Sequence, residues 1–243
     1  YLIKLGKMLK RFSFTKVFDL QNSSRTKFYK KIFFNKVFFS SSETSLKKGE
    51  KKSDFDKFPV LDRMNFQLER FGLKTFHTKK PDLKWAIGDV KSIINQNFEG
   101  SYILLFPFCS PKLNKKKWPY YKNLIELFKN HYGSKYNIAI VPGPGEVDMA
   151  KAFDVHIILV DKKPASIIDL IGLIEKSSYI ISNDTGPAHI SAHLNKKGLV
   201  LFGSHTTAEK VSIEKENFRS IQVKNLKDLN PSTVFEKIKE NLN

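Results

Sequence analysis

The chain has a single cysteine, Cys109, in 243 residues. That excludes an internal disulfide and a multi-cysteine zinc site, and it fits a reducing cytosol. Arginine is also scarce: of 42 basic side chains only Arg11, Arg25, Arg63, Arg70 and Arg219 are arginines. Arginine is the residue of choice for bidentate contacts to phosphates and base edges, so its scarcity weighs against a nucleic-acid reader. Long apolar runs are missing too. The longest, residues 102–109, is interrupted by Pro107 and falls short of the roughly 18 residues of a membrane span. The opening stretch sets Leu2, Ile3, Leu5, Leu9 and Phe12 among Lys4, Lys7, Lys10 and Arg11. This is too charged for the apolar centre of a signal peptide and reads as an amphipathic helix with a basic face. Position 1 is Tyr, not Met, as expected of a fragment whose natural beginning is missing.

What remains is a globular composition, 41% hydrophobic and 27% charged, with a formal net charge of +18. A length of 243 residues allows one large domain or two small ones at about 100 to 200 residues each. The charge is uneven. Residues 1–80 carry 20 basic and 7 acidic side chains, whereas residues 81–243 carry 22 and 17. Lysine, phenylalanine, isoleucine and asparagine are abundant together, as a codon bias toward A and T would produce, so part of the excess is compositional.

From residue 101 onward short β-rich apolar runs alternate with amphipathic stretches. Strands are expected at 102–107, 138–141, 155–160, 179–182, 198–202 and 220–223, and helices at 120–132, 146–153, 166–176, 187–194 and 232–241. Apolar runs without alternation suit strands buried on both faces, and the strand-helix order implies a parallel sheet with helices on both sides. Ligands of such sheets sit at the carboxyl ends of the strands. Upstream, a strand is expected at 15–20, helices at 24–34, 61–71 and 84–96, and a flexible Ser/Lys-rich loop at 40–57. The aromatic residues among the lysines of 27–39 are read as core beside a solvated face. Two domains are therefore expected, an incomplete one over 1–82 and a Rossmann-like one over 83–243.

Three segments at successive strand ends carry the chemistry. Asn183-Asp184-Thr185-Gly186-Pro187-Ala188-His189 lies between a strand and a helix, where unpaired amides and the helix dipole form an anion site. Gly186 lets a phosphate approach the backbone, and Pro187 in the first turn has no N–H to satisfy. The plainer reading makes Asp184 or Thr185 a helix cap. An aspartic protease is disfavoured, because Asp-Thr-Gly occurs once and is followed by Pro and a helix. After the strand at 102–107, Ser110 precedes Lys112, Lys115, Lys116, Lys117 and Trp118-Pro119. Lysines there suit an anionic ligand, or form a solvated run beside a buried Trp. Pro142-Gly143-Pro144-Gly145-Glu146 lacks the third Gly of the dinucleotide fingerprint, Asp148 standing there. Glu146 suits a ribose, or serves only the helix dipole.

Together these elements resemble the carboxyl-terminal domain of glycosyltransferase family 9, the heptosyltransferases of lipopolysaccharide core synthesis. The likeness rests on the Ser110 turn, Lys116-Lys117-Trp118-Pro119, Gly143-Pro144-Gly145-Glu146, Asp184-Thr185-Gly186-Pro187-Ala188-His189 and Leu201-Phe202-Gly203. Phe18-Asp19-Leu20-Gln21 with Ser23, Ser24 and Arg25 is similar to the later part of the family's amino-terminal domain. The resemblance implies an α/β chain of GT-B type, with two Rossmann-like domains of parallel sheet, the first incomplete. It implies that Ser110, Lys116, Thr185 and Gly186 hold a pyrophosphate, with Asp184 near the sugar, Glu146 at the ribose and His189 either shaping the pocket or buried in its helix. Arg25 and Lys27 fall on the acceptor side. The donor implied is ADP-heptose or a similar nucleotide sugar, a substrate rather than a cofactor, and no metal is expected.

The implied reaction is an inverting displacement in which a base removes the acceptor's proton and Lys116 stabilises the leaving group. The family's base is an acidic residue in a turn near the start of its amino-terminal domain, which places it before Tyr1 here. Asp19 matches a later strand and is not that base. Two departures from the family pattern are bulky Phe108 with Cys109, and Ser204-His205-Thr206 where Pro-Thr is common after the Gly. An anionic lipid-linked oligosaccharide acceptor, met by a peripheral cytoplasmic protein at the inner membrane face, accounts for the basic first third better than nucleic acid does. The alternatives are a basic nucleic-acid or phosphate-surface binding module and an inactive relative.

Overall fold

The computed structural model describes residues 1–242; Asn243, the last residue of the expected second domain, lies outside the described residues. The chain divides into two compact units, Tyr1–Lys80 and Pro81–Asn243.

The first unit pairs β1 (Lys16–Phe18) in parallel with β2 (Phe38–Ser40), Lys16 opposite Phe38. Around them lie α1 (Leu2–Leu9), α2 (Ser24–Phe33), α3 (Lys52–Phe55) and α4 (Val60–Glu69). α2 starts where a capping box can form, Ser23 accepting from the Thr26 amide and Thr26 from the Ser23 amide, which satisfies two otherwise orphaned donors. The aromatic residues divide as core and surface in part only. Phe39 is buried, but Phe28 and Phe38 are 46% and 44% exposed, although Phe38 stacks edge-on against Phe71.

Residues 40–57 are not the flexible loop that their composition suggests. They contain the end of β2 and all of α3, and Ser40, Ser41, Ser42 and Ser45 are buried. The serines are held by hydrogen bonds: Ser45 Oγ donates to the Ser41 carbonyl at 2.6 Å, and the Ser42 amide donates to Asn22 Oδ1 at 2.5 Å. Fully buried Gln67 on α4 donates from Nε2 to the Asp19 carbonyl and to Ser40 Oγ, each at 3.0 Å, and accepts from Asn22 Nδ2 at 3.1 Å. The hydroxyls of Ser40, Ser41 and Ser45 go inside because each has a partner.

The second unit is a six-stranded parallel sheet in the order β5-β4-β3-β6-β7-β8. Its strands are β3 (Tyr102–Phe106), β4 (Asn137–Ile140), β5 (His156–Ile157), β6 (Tyr179–Asn183), β7 (Gly198–Phe202) and β8 (Phe218–Gln222). The helices are α5 (Lys91–Asn97), α6 (Tyr121–Tyr132), α7 (Val147–Ala150), α8 (Ile167–Lys176), α9 (Gly186–His193) and α10 (Pro231–Leu242). Because alternate side chains point to opposite faces, β3 sends Ile103 and Leu105 toward Tyr121, Leu124 and Phe128 of α6 and Val234, Phe235 and Ile238 of α10. Tyr102, Leu104 and Phe106 go the other way, to Phe98 and to Leu173, Ile174, Ala188 and Ala192 of α8 and α9. Every residue of β3, β6 and β7 is buried. At roughly 1.5–3 kcal/mol for each large apolar side chain, these central strands hold the unit together.

The helix expected at 84–96 is broken. A 3-10 turn at Lys84–Ala86 is separated from α5 because the Gly88 amide leaves its own helix and donates to the Ile168 carbonyl of α8 at 3.2 Å. The helix expected at 146–153 shortens to α7, and the strand at 155–160 to β5. No helix among the described residues is long and apolar enough to cross a membrane.

Candidate active site

Winding runs from β3 outward to β5, then crosses back so that β6 lies against the other side of β3. The carboxyl ends of β3 and β6 therefore flank the topological switch point, the crevice where parallel sheets bind ligands. The segments leaving these two strands carry most of the candidate residues.

Asn183 ties the two segments together. Its Oδ1 accepts from the Trp118 amide at 3.2 Å and the Tyr121 hydroxyl at 3.4 Å, while its Nδ2 donates to the Pro107 carbonyl at 2.9 Å. Trp118 is buried with its indole N–H donating to the Leu229 carbonyl at 2.9 Å. The lysine run beside it divides. Lys112, Lys115 and Lys117 are exposed to solvent, whereas Lys116 turns inward to Asp184.

Asp184 is 3% exposed and does not cap α9; Thr185 holds the cap position, with no side-chain cap bond. Lys116 Nζ donates to Asp184 Oδ2 at 2.6 Å and to the Asp184 carbonyl at 3.3 Å. His205 Nε2 lies 3.0 Å from the same Oδ2, and His189 Nε2 lies 3.5 Å from Oδ1. Burial pushes the carboxyl upward, but hydrogen bonds from His189, Lys116 and His205 outweigh it and hold the group well below the usual carboxylate range. Asp184 thus stays ionised, and Lys116 keeps a buried counter-ion. His189 is not a buried helix histidine, since its side chain is 37% exposed.

Beside this cluster is a cavity of about 470 Å³ whose lining includes Cys109, Ser110, Glu146, Thr185 and Gly186. Ser110 precedes the 3-10 turn Pro111–Lys116. Gly145, at φ +82°, lets the chain reverse before α7, and Glu146 folds back so that its Oε2 accepts from the Gly143 amide at 2.8 Å. Gly186 is the first residue of α9, and a Cβ there would meet no protein atom within 4 Å. Pro187 has no N–H and the Ala188 amide donates to the Thr185 carbonyl at 3.1 Å, which leaves the Gly186 amide as the donor at the head of the helix. Open space above Gly186 is therefore room for an anion at a positive helix end.

All seven residues expected at the donor site fall in the second unit, at one end of its sheet. Arg25 is exposed in the first turn of α2, and Lys27 pairs with Glu43; both belong to the first unit. The residue not expected at the site is His205. Its side chain is 3% exposed and stacks on Phe202. The one signal for it in the sequence is the departure from Pro-Thr after Gly203. Among the described residues no group of three or more His, Cys, Asp or Glu side chains is arranged to hold a metal ion.

Known proteins share this fold. Among solved structures, Escherichia coli ADP-heptose LPS heptosyltransferase II shares 19% identity at a TM-score of 0.67, covering 98% of this chain and 80% of its own. The E. coli heptosyltransferase WaaC, solved with ADP-2-deoxy-2-fluoro heptose, shares 17% at 0.66, covering 98% and 76%. A putative UDP-N-acetylglucosamine 2-epimerase from Listeria monocytogenes shares 15% at 0.57, covering 98% and 69%. These likenesses establish the fold as α/β of GT-B type. No curated protein matches the chain in sequence. Residues 2–239 match the family described as glycosyltransferase family 9 (heptosyltransferase), and the chain belongs to that family of glycosyltransferases.

Proposed function

We propose that the chain transfers heptose, or a related sugar, from ADP-heptose to a lipopolysaccharide core acceptor, with inversion and without a metal ion. The observation that carries this reading is the switch-point site. A cavity walled by Ser110, Glu146, Thr185 and Gly186 adjoins a lysine paired with a buried aspartate, at the amino end of α9. A nucleoside diphosphate matches each part. Ser110, Thr185, Gly186 and Lys116 take the diphosphate, Glu146 the ribose, Asp184 and His189 the sugar side. As the glycosidic bond to the donor breaks, negative charge grows on the diphosphate. Lys116 and the Gly186 amide at the head of α9 stabilise that charge, as a cation and a donor aimed at a developing anion lower a barrier. Two E. coli structures of this fold contain, by their descriptions, ADP or an ADP-heptose analogue, which supports the same choice of donor. The acceptor side falls to the basic first unit, with Arg25 and Lys27 on α2.

Calorimetric titration tests the donor assignment. ADP is expected to bind the folded chain at micromolar levels, in EDTA as well as in Mg²⁺. Lys116→Met is expected to weaken ADP binding, and Asp184→Ala the binding of ADP-heptose relative to ADP, each by about tenfold or more, the worth of a charge-assisted hydrogen bond. Folded protein that ignores ADP would sink the reading. Affinity for RNA that falls steeply with salt and is indifferent to Asp184→Ala would replace it with a nucleic-acid module.

A further inference from the structure

Lys116 is engaged within the protein, with its Nζ 2.6 Å from Asp184 Oδ2. A diphosphate can draw that ammonium only if Asp184, 3% exposed, tolerates its loss. A buried carboxylate stripped of its partner is costly. The second group on the same oxygen is His205, with Nε2 3.0 Å from Oδ2, while His189 reaches only the other oxygen, at 3.5 Å. The bond fixes the His205 proton on Nε2, because a lone pair there would face a carboxylate. Its Nδ1 is buried with no hydrogen-bond partner in the protein, so the ring is kept in place by the Asp184 contact and by stacking on Phe202 at 5.9 Å. Nothing else in the geometry rewards a histidine at this position.

We infer that His205 is a positioning residue of the donor site: it holds Asp184 Oδ2 so that Lys116 can exchange the carboxylate for the donor's diphosphate. This rests on the proposed nucleotide-sugar site and adds a residue to it. Without the imidazole, Lys116 is the sole close partner of Oδ2, and its release on ligand binding costs more.

The experiment is ADP titration of the wild type, His205→Ala, His205→Met and His205→Gln, each checked by thermal unfolding without ligand. Ala removes the donor; Met removes it while filling the space against Phe202; Gln restores an N–H near the position of Nε2. Ala and Met are expected to lower ADP affinity by about tenfold, and Gln to recover most of it, with adenosine binding alike to all four. Folded Ala or Met variants that bind ADP as the wild type does overturn the inference. A Gln variant as weak as Met also overturns it, by showing that ring shape and not the donor matters. Wild-type protein that fails to bind ADP takes down the donor site itself, an outcome distinct from either.

Discussion

At the scale of single residues the site is built on small differences. Asn183 and Asp184 are neighbours of nearly equal size, yet the amide is used as donor and acceptor at once, whereas the carboxylate is used only as an acceptor. Gly186 tests whether the space above α9 is for a ligand. The position has no positive φ, and a Cβ would touch nothing, so Gly186→Ala should leave stability unchanged or raise it by about 0.4–1 kcal/mol. The added methyl enters the space assigned to the diphosphate, so ADP affinity should fall. Unchanged affinity in calorimetry would move the anion away from α9. The Asp-Thr-Gly-Pro string was legible because strand, Gly, Pro and helix follow one another locally. His205 was not, since it reaches Asp184 across 21 residues and no local spacing announces such a contact.

At the scale of elements, the central strands were read nearly to the residue because burial on both faces leaves an uninterrupted apolar run. Reading failed where tertiary contacts override composition. Residues 40–57 look solvated by their serines and lysines, but the serines are bonded inward. The helix at 84–96 breaks because Gly88 meets Gly172 of α8, where a Cβ on Gly172 would lie 2.5 Å from the Gly88 carbonyl oxygen. Gly172→Ala gains about 1 kcal/mol of helix propensity and loses about 1–3 kcal/mol to overpacking. The nearest atom is backbone and cannot swing aside, so the loss should win. Denaturant unfolding should show a lower midpoint with unchanged slope; a raised midpoint would mean that α8 is free to shift.

At the scale of the molecule, every residue of the cavity and of the Asp184 cluster lies within Pro81–Asn243. That unit has its own two-faced core, so residues 81–243 expressed alone should fold and bind ADP as tightly as the whole chain. Weaker binding would show that Tyr1–Lys80 contributes to the donor site. The partition of charge, with most of the excess in residues 1–80, therefore leaves that basic surface outside the donor site. The scarcity of cysteine has a practical side. Cys109 is partly exposed on the cavity wall, with its thiol pushed up by burial. The wild-type chain therefore carries a single, slow-reacting attachment point for a fluorophore or spin label, located where a bound nucleotide would be felt, and no thiol has to be engineered in or out.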